Sequence, residues 1–138
     1  MAEWEGKART NEVTVIDMEG LKNALIPFEV IIHERDDNKV VFLPPKNSNG
    51  DFYYSVENED TGENIEFNWQ SFVMPYIKEG EVLIVMCCGA EKLRYITGDS
   101  QAYFRNGDKV DSFGINLYDI YDLVKVKFNV QSVSLCEY

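Results

Sequence analysis

The chain has 138 residues, of which 45% are hydrophobic and 13% aromatic, so it can bury about two-thirds of its unfolded surface and is not a disordered chain. Its formal net charge of -11 disfavours nucleic acid and anionic membranes as direct partners and favours cationic ones. The sequence contains neither a run of about 18 apolar residues nor a charged segment followed by an apolar one at its start, so we expect a cytoplasmic protein that does not span a membrane.

The N-terminal part of the sequence predicts a helix and a first hairpin. Residues 1–11 are polar and are expected to be loosely ordered. The segment 18–25 has its apolar residues on one helical face, and Asp17 stands in the N-cap position before it. Runs of β-branched and aromatic residues at 28–32 and 39–43 flank a polar turn, which is typical of a β-hairpin.

The middle of the sequence predicts a second hairpin, a second helix and a central strand. Short runs with strand propensity at 52–56 and 65–67 flank a turn rich in polar residues. Asn68 is a suitable N-cap for a helix over 69–77. The continuous apolar run in 81–88 lies between two glycines, which predicts a strand buried at the centre of the sheet.

The C-terminal part of the sequence predicts two short strands and a third helix. The strands cover 93–97 and 101–104 and are joined by a tight Gly-Asp turn. Apolar residues over 115–124 follow a helical spacing, with Asn116 as the N-cap. The segment 128–138 alternates imperfectly, so we expect either an edge strand or a free tail.

Together these elements predict one α+β domain over residues 1–138. Short hairpin turns outnumber the long crossovers that a parallel sheet requires. We therefore expect a mostly antiparallel sheet of about six to eight strands in hairpins, with about three helices packed on one face.

The segment between Lys46 and Lys78 carries acidic residues but no Lys or Arg, so its charge is entirely negative. Carboxylates spaced along a hairpin can imitate the phosphate row of a nucleic acid and occupy the basic groove of a protein that binds one. The alternative interpretation is a solvated face that only keeps the protein in solution. The candidate partner-binding residues are Asp51, Tyr53, Glu57, Glu59, Asp60, Glu63 and Glu66.

The three cysteines and the single histidine do not predict a metal or catalytic centre. Metal ligands converge, typically from C-x-x-C spacing with further Cys or His, whereas Cys87 and Cys88 are adjacent and His33 lies in another segment. We interpret both cysteines as reduced small hydrophobes in a buried strand. A cysteine enzyme would need a neighbour that lowers the thiol pKa, and glycine-rich phosphate loops are absent from the sequence. We expect no catalytic residue, no cofactor and no metal.

Three segments carry a resemblance: WEGKARTN at 4–11, GAEKLRYITG at 89–98 and INLYDIY at 115–121. In these segments the chain resembles small uncharacterised proteins of bacterial plasmids, integrative elements and phages, which pair a W-x-G-x-A-R-x-N start with a G-A-E-K-L-R-Y-x-T-G centre. The resemblance covers most of the chain and implies a mobile genetic element, and with it an accessory or anti-defence role, but no mechanism. The residues it marks as a shared site are Trp4, Arg9, Asn11, Arg94 and Tyr95.

Two main hypotheses for the function follow, and a small enzyme that uses a Cys87 or Cys88 thiolate or a pair of carboxylates is the third and least favoured. The first is a non-enzymatic interaction factor of a mobile element that binds a basic host protein, such as a nuclease, through the acidic hairpin and inhibits it as a nucleic-acid mimic. The second is a self-associating structural or regulatory module, a homodimer joined at the C-terminal edge, whose acidity serves only solubility. Neither involves direct binding to nucleic acid or to a membrane.

Overall fold

The structure is a computed structural model that describes residues 4–91 and 95–136. Within these ranges three α-helices and nine strands form, and every strand pair is antiparallel, which confirms the α+β class with slightly more strands than expected. The strands are β1 (Trp4–Thr10), β2 (Val13–Thr14), β3 (Ile31–Glu34), β4 (Lys39–Leu43), β5 (Ser55–Glu57), β6 (Asn64–Glu66), β7 (Val82–Glu91), β8 (Tyr95–Asn106) and β9 (Lys109–Asn116). The helices are α1 (Met18–Leu25), α2 (Trp69–Phe72) and α3 (Asp119–Phe128). None of these helices is long and apolar enough to cross a membrane.

The strands are divided among three sheets where a single sheet was expected. The largest has the order β1-β7-β8-β9, the second has the order β2-β4-β3, and β5 pairs with β6 alone. Both predicted hairpins of the first half are confirmed, since β3 pairs with β4 and β5 with β6. Helix α1 begins after Asp17, whose carboxylate accepts a hydrogen bond from the backbone N–H of Gly20 at 3.0 Å, as the sequence predicts.

The N-terminal segment is a strand, which corrects the expectation that residues 1–11 are loosely ordered. Strand β1 pairs with β7 along its whole length, from Trp4 opposite Glu91 to Thr10 opposite Val85. Asn11 extends this ladder by one step, because its side-chain amide donates to the carbonyl of Val82 at 2.9 Å and accepts from the N–H of Ile84 at 2.8 Å. The local sequence is polar and gives no sign of a partner strand that lies so far along the chain.

Strand β7 lies between β1 and β8, so its predicted central position is confirmed, but it is buried on one face only. Leu83 and Val85 are buried, whereas Met86 is 58% exposed on the other face. The apolar run alone predicts burial of both faces, and this is wrong because no described element covers the second face.

Strand β8 is continuous, which corrects the prediction of two strands joined at Gly98 and Asp99. Within β8, Gly98 pairs with Cys88 and Asp99 pairs with Cys87. The long ladder with β7 therefore overrides the local turn preference of the Gly-Asp pair. Leu93, which also belonged to this prediction, lies outside the described residues.

The chain after β8 turns at Gly107, whose φ is +65°, and returns as β9, which the sequence did not predict. Ile115 and Asn116, expected to open the third helix, are the end of β9. Helix α3 starts at Asp119, whose carboxylate accepts from the N–H of Asn116 at 2.8 Å. In residues 129–136 no strand is formed, so the edge strand expected in this segment is absent from the part described.

The core is built on aromatic side chains around Trp69, at the start of α2. Phe52 and Phe67 lie edge-on to its indole, with ring centroids at 4.8 and 5.0 Å, and Phe42 lies at 5.7 Å. Asn68 caps α2 as predicted, accepting from the N–H of Ser71 at 2.7 Å. The predicted helix over 69–77 is interrupted after Phe72 and continues as a short 3₁₀ segment, Met74–Tyr76.

The role of Asn11 can be tested by stability. Asn11→Ala removes two hydrogen bonds that hold the start of β7, and we expect the free energy of unfolding to fall by about 1 to 2 kcal/mol. The matched control Asn64→Ala, on the exposed face of β6, should change it by less than about 0.5 kcal/mol. Urea denaturation measures both, and equal values for the two variants would contradict the structural role of Asn11.

Candidate functional site

The two strands of the acidic hairpin, which we define as residues 55–66, carry two carboxylates on their outer face. Val56 is directly opposite Ile65, and these two side chains pack against the core. Because side chains alternate along a strand, Glu57 and Glu66 project to the other face, and both are exposed. They are diagonal neighbours, about 7 to 8 Å apart in such a ladder, which spaces the two charges without placing them in direct opposition.

The tip of the acidic hairpin is ordered by Asn58. Its side-chain oxygen accepts from the N–H of Asp60 at 2.9 Å, and its backbone carbonyl accepts from the N–H of Gly62 at 2.7 Å. Gly62 has a φ of +73°, which a turn of this kind requires. The exposed carboxylates of Glu59 and Glu63 are therefore carried by a turn with its own hydrogen bonds.

No described basic side chain neutralises the acidic hairpin. The ion pairs of the described residues involve other acids: Glu34 with Lys22, and Glu12 with Arg35 and Lys39. The hairpin carboxylates that form no ion pair with a described residue belong to Glu57, Glu59, Asp60, Glu63 and Glu66. A cationic partner would thus meet them without displacing an internal counter-charge.

Asp51 and Tyr53, also predicted as partner-binding residues, lie before the acidic hairpin and are half-buried. The structure separates Asp51 from the other carboxylates and places it against Cys87, whose thiol donates to the Asp51 carboxylate at 3.7 Å. Tyr54 is the more exposed tyrosine, and its hydroxyl lies 3.9 Å from the same sulfur.

These groups line a second feature, which we call the polar cavity. It has a volume of about 420 Å³ and lies on the core side of the four-stranded sheet. Strands β7 and β8 place its walls in register, because Cys87 is opposite Asp99 and Val85 is opposite Gln101. Its lining residues are Asp51, Tyr54, Trp69, Val85, Cys87, Asp99, Gln101 and Tyr103.

The polar cavity raises the pKa of three of its lining residues. Burial, followed by the charge of Asp51, raises the pKa of the Cys87 thiol to about 12. Burial, with the proximity of Cys87 and Asp51, raises the pKa of Tyr54. Partial desolvation and the charge of Asp51 raise the pKa of Asp99. Each of these raised pKa values reflects an environment that disfavours additional negative charge in the cavity.

The indole N–H of Trp69 is the one polar side-chain atom, among the described residues, that is buried without a hydrogen-bond partner. The indole lies close enough to the Tyr54 oxygen to favour its phenolate form, which opposes the larger effect of burial, yet it makes no hydrogen bond of normal length and angle. A buried donor left without an acceptor is destabilising by about 1 to 3 kcal/mol.

The polar cavity does not activate Cys87 as a nucleophile. A thiol with a raised pKa is a poor nucleophile, and no basic side chain among the described lining residues would activate Cys87. Across residues 4–91 and 95–136, no three His, Cys, Asp or Glu side chains converge as metal ligands. His33 is exposed on β3.

The residues marked by the resemblance do not form one site in the part of the chain that is described. Trp4 and Tyr95 flank Glu91 at one end of the four-stranded sheet, while Arg9 and Asn11 lie at the other end. Asn11 is engaged with the backbone of β7, and Arg9 is exposed opposite Met86. Arg94 lies outside the described residues.

Sequence reasoning missed most of the polar cavity. Asp99 was assigned to a turn, and Trp69 and Tyr103 only to structural elements. A usable signal was the alternation of Asp99, Gln101 and Tyr103, which places three polar side chains on one face of a strand. Comparison of the chain with protein-family models, curated proteins and solved structures finds no match, so the chemistry of both features is argued from geometry.

Thiol reactivity tests the environment of Cys87. Cys88 and Cys136 are exposed, which corrects the expectation that Cys88 is buried, whereas Cys87 is half-buried. Raising the pKa of Cys87 from 9.0 to about 12 lowers its thiolate fraction about 1,000-fold at pH of about 8. With a chromogenic disulfide reagent we expect two fast thiols and one slow thiol. Cys87→Ala should remove only the slow phase, and three equal rates would contradict the assignment.

Proposed function

We propose that the protein is a non-enzymatic binding factor that acts in the cytoplasm on a basic, nucleic-acid-handling protein through the acidic hairpin. The observation that carries this proposal is the set of exposed hairpin carboxylates that lack an ion pair with any described residue. A basic surface that binds phosphates is also attracted to a row of carboxylates, because both carry negative charge, and salt weakens this attraction.

The packing and hydrogen bonds of the acidic hairpin support the proposal. Val56 and Ile65 anchor its inner face to the core, and Asn58 holds its tip. A surface that is ordered before binding loses little conformational entropy when the partner docks. The net charge of -11 also accelerates encounter with a basic partner, because long-range attraction raises association rates.

Inhibition follows from competition for one surface. If the acidic hairpin occupies the groove in which a nuclease holds its substrate, the nucleic acid is excluded. The resemblance to accessory proteins of plasmids, integrative elements and phages favours a host defence protein as the target. In this proposal the protein is a DNA mimic with an anti-defence role.

A second candidate function, self-association, is favoured by a separate observation. The outward face of the four-stranded sheet, which we call the open face, is apolar and exposed, with Phe113 at 72% and Ile115 at 61%. Helix α3 buries none of its residues, and its Val126 is 84% exposed. Apolar surfaces of this extent on a monomer commonly mark an interface.

The charges of α3 suit a second copy of the chain. Its first turn carries Asp119 and Asp122, and its last turn carries Lys125 and Lys127. Two such helices in antiparallel contact place the basic end of each against the acidic end of the other, which is the arrangement that a two-fold axis generates. This local attraction offsets part of the repulsion between two chains of net charge -11.

The acidic hairpin can be tested by neutralising it. We expect the variant Glu57→Gln, Glu59→Gln, Asp60→Asn, Glu63→Gln to lose basic proteins that the wild type captures from a nuclease-treated bacterial lysate, because their attraction depends on these charges. Capture should weaken between about 50 and about 500 mM salt, and added duplex DNA should displace the captured protein. Mass spectrometry identifies it.

The matched control removes four negative charges elsewhere, with Glu19→Gln, Glu29→Gln, Asp37→Asn and Asp108→Asn, all of which are exposed positions. This control should capture the same proteins as the wild type. Equal loss in both variants would mean that only net charge matters, and capture that resists DNA would contradict competition for a nucleic-acid surface.

Self-association can be tested by sedimentation equilibrium. We expect the wild type to approach twice its monomer mass of 15.9 kDa at concentrations of about 100 μM. The variant Phe113→Glu, Val126→Glu places charges on both apolar surfaces and should be monomeric. The control Ile26→Glu, at a 68% exposed position after α1, should behave as the wild type. A wild type that is monomeric throughout would contradict this candidate.

A further inference from the structure

We propose that the polar cavity binds a small organic ammonium ligand that carries a hydroxyl or carbonyl oxygen beside its amino group, as amino sugars and amino alcohols do. The polar cavity is a different surface from the acidic hairpin, so ligand binding there does not depend on the partner proposed above. Three properties of the described lining residues lead to it: uncompensated carboxylates, aromatic walls, and a buried donor that lacks an acceptor.

The carboxylates define the charge of the ligand. Asp51 and Asp99 both line the polar cavity, and neither forms an ion pair with a described residue. Among the lining residues that the structure describes there is no Lys or Arg. Anionic ligands are therefore repelled. A cation with N–H donors gains charge-assisted hydrogen bonds to the carboxylates of Asp51 and Asp99.

The aromatic side chains favour an organic ammonium group as the cationic part of the ligand. Tyr54, Trp69 and Tyr103 line the polar cavity, and an organic ammonium group is attracted to the faces of such rings. Trp69 is 2% exposed and is fixed by its edge-on contacts with Phe52 and Phe67, so this wall is formed before the ligand arrives. Tyr54 is 44% exposed, which leaves the cavity accessible from solvent.

The buried indole N–H of Trp69 defines the second group of the ligand. No described residue accepts a hydrogen bond of normal length and angle from this donor, and its indole forms part of the cavity lining. An ammonium group cannot accept a hydrogen bond, so a simple alkylamine leaves the indole unsatisfied. An oxygen on the carbon next to the amine can accept from Trp69 while the amine donates to the carboxylates.

Other ligand classes fit less well. A divalent metal needs several converging oxygen, nitrogen or sulfur ligands, and no such set occurs among the described residues. A neutral sugar could accept from Trp69 but would leave the charges of Asp51 and Asp99 without a counter-ion. A hydrocarbon ligand would bury the polar groups of the cavity without hydrogen bonds.

The test uses the indole of Trp69 as the reporter. The chain has two tryptophans, so Trp4→Phe leaves Trp69 as the single indole. The probes are glucosamine, glucose and cyclohexylamine at a pH slightly below neutral, where both amines are protonated. Fluorescence and the indole ¹H–¹⁵N signal are followed during titration, and a downfield shift of the indole proton is expected when the ligand oxygen accepts from it.

We expect saturable binding of glucosamine that is at least about 10-fold tighter than that of glucose or cyclohexylamine. Asp99→Asn should weaken glucosamine binding at least about 10-fold, whereas Asp111→Asn, an exposed carboxylate on β9, should leave it unchanged; thermal denaturation confirms that both variants are folded. Equal binding of glucose would overturn the ionic part of the proposal, and equal binding of cyclohexylamine would overturn the role of Trp69. Absence of a saturable signal by both methods would overturn the site.

Discussion

The packing of aromatic side chains around Trp69 is the interaction on which the rest of the structure depends. Phe67 directly follows β6 and Phe52 lies shortly before β5, so their contacts with the indole fix both ends of the acidic hairpin to the core. The same indole forms a wall of the polar cavity. One buried ring therefore orients two features with different chemistry, and fully burying such a ring contributes more to stability than any surface charge pair.

The two faces of the four-stranded sheet have separate roles. Along β7, Val85 and Cys87 point to the core side and line the polar cavity, while Met86 and Cys88 point to the open face. A ligand in the cavity and a second copy on the open face would not compete for the same side chains. The proposed binding events can therefore occur together, with the sheet as the rigid layer between them.

Local signals in the sequence predicted the elements that are stabilised locally. Asp17 and Asn68 cap their helices, and the hairpins β3–β4 and β5–β6 form around polar turns, because these interactions join residues close in the chain. Strand β1 could not be predicted, since its partner β7 lies far along the chain. Strand β9 was missed although it pairs with the adjacent β8 across the turn at Gly107, because the apolar residues from Ile115 onward also fit a helical spacing. The charge of its residues was enough to indicate the acidic hairpin from the sequence. The polar cavity could not be predicted in this way, because Asp51 and Asp99 are far apart in the chain and come together only in the fold.

The pairing of β1 with β7 also has a consequence for synthesis of the protein. Thr10 and its partner Val85 are separated by more than half of the chain, so β1 leaves the ribosome long before β7 exists. Until then β1 has no ladder, and the finished sheet closes only through contacts of high sequence separation, which form slowly. Removal of residues 1–10 would delete β1 and leave one edge of β7 unpaired. An exposed edge of an apolar strand is a template for aggregation.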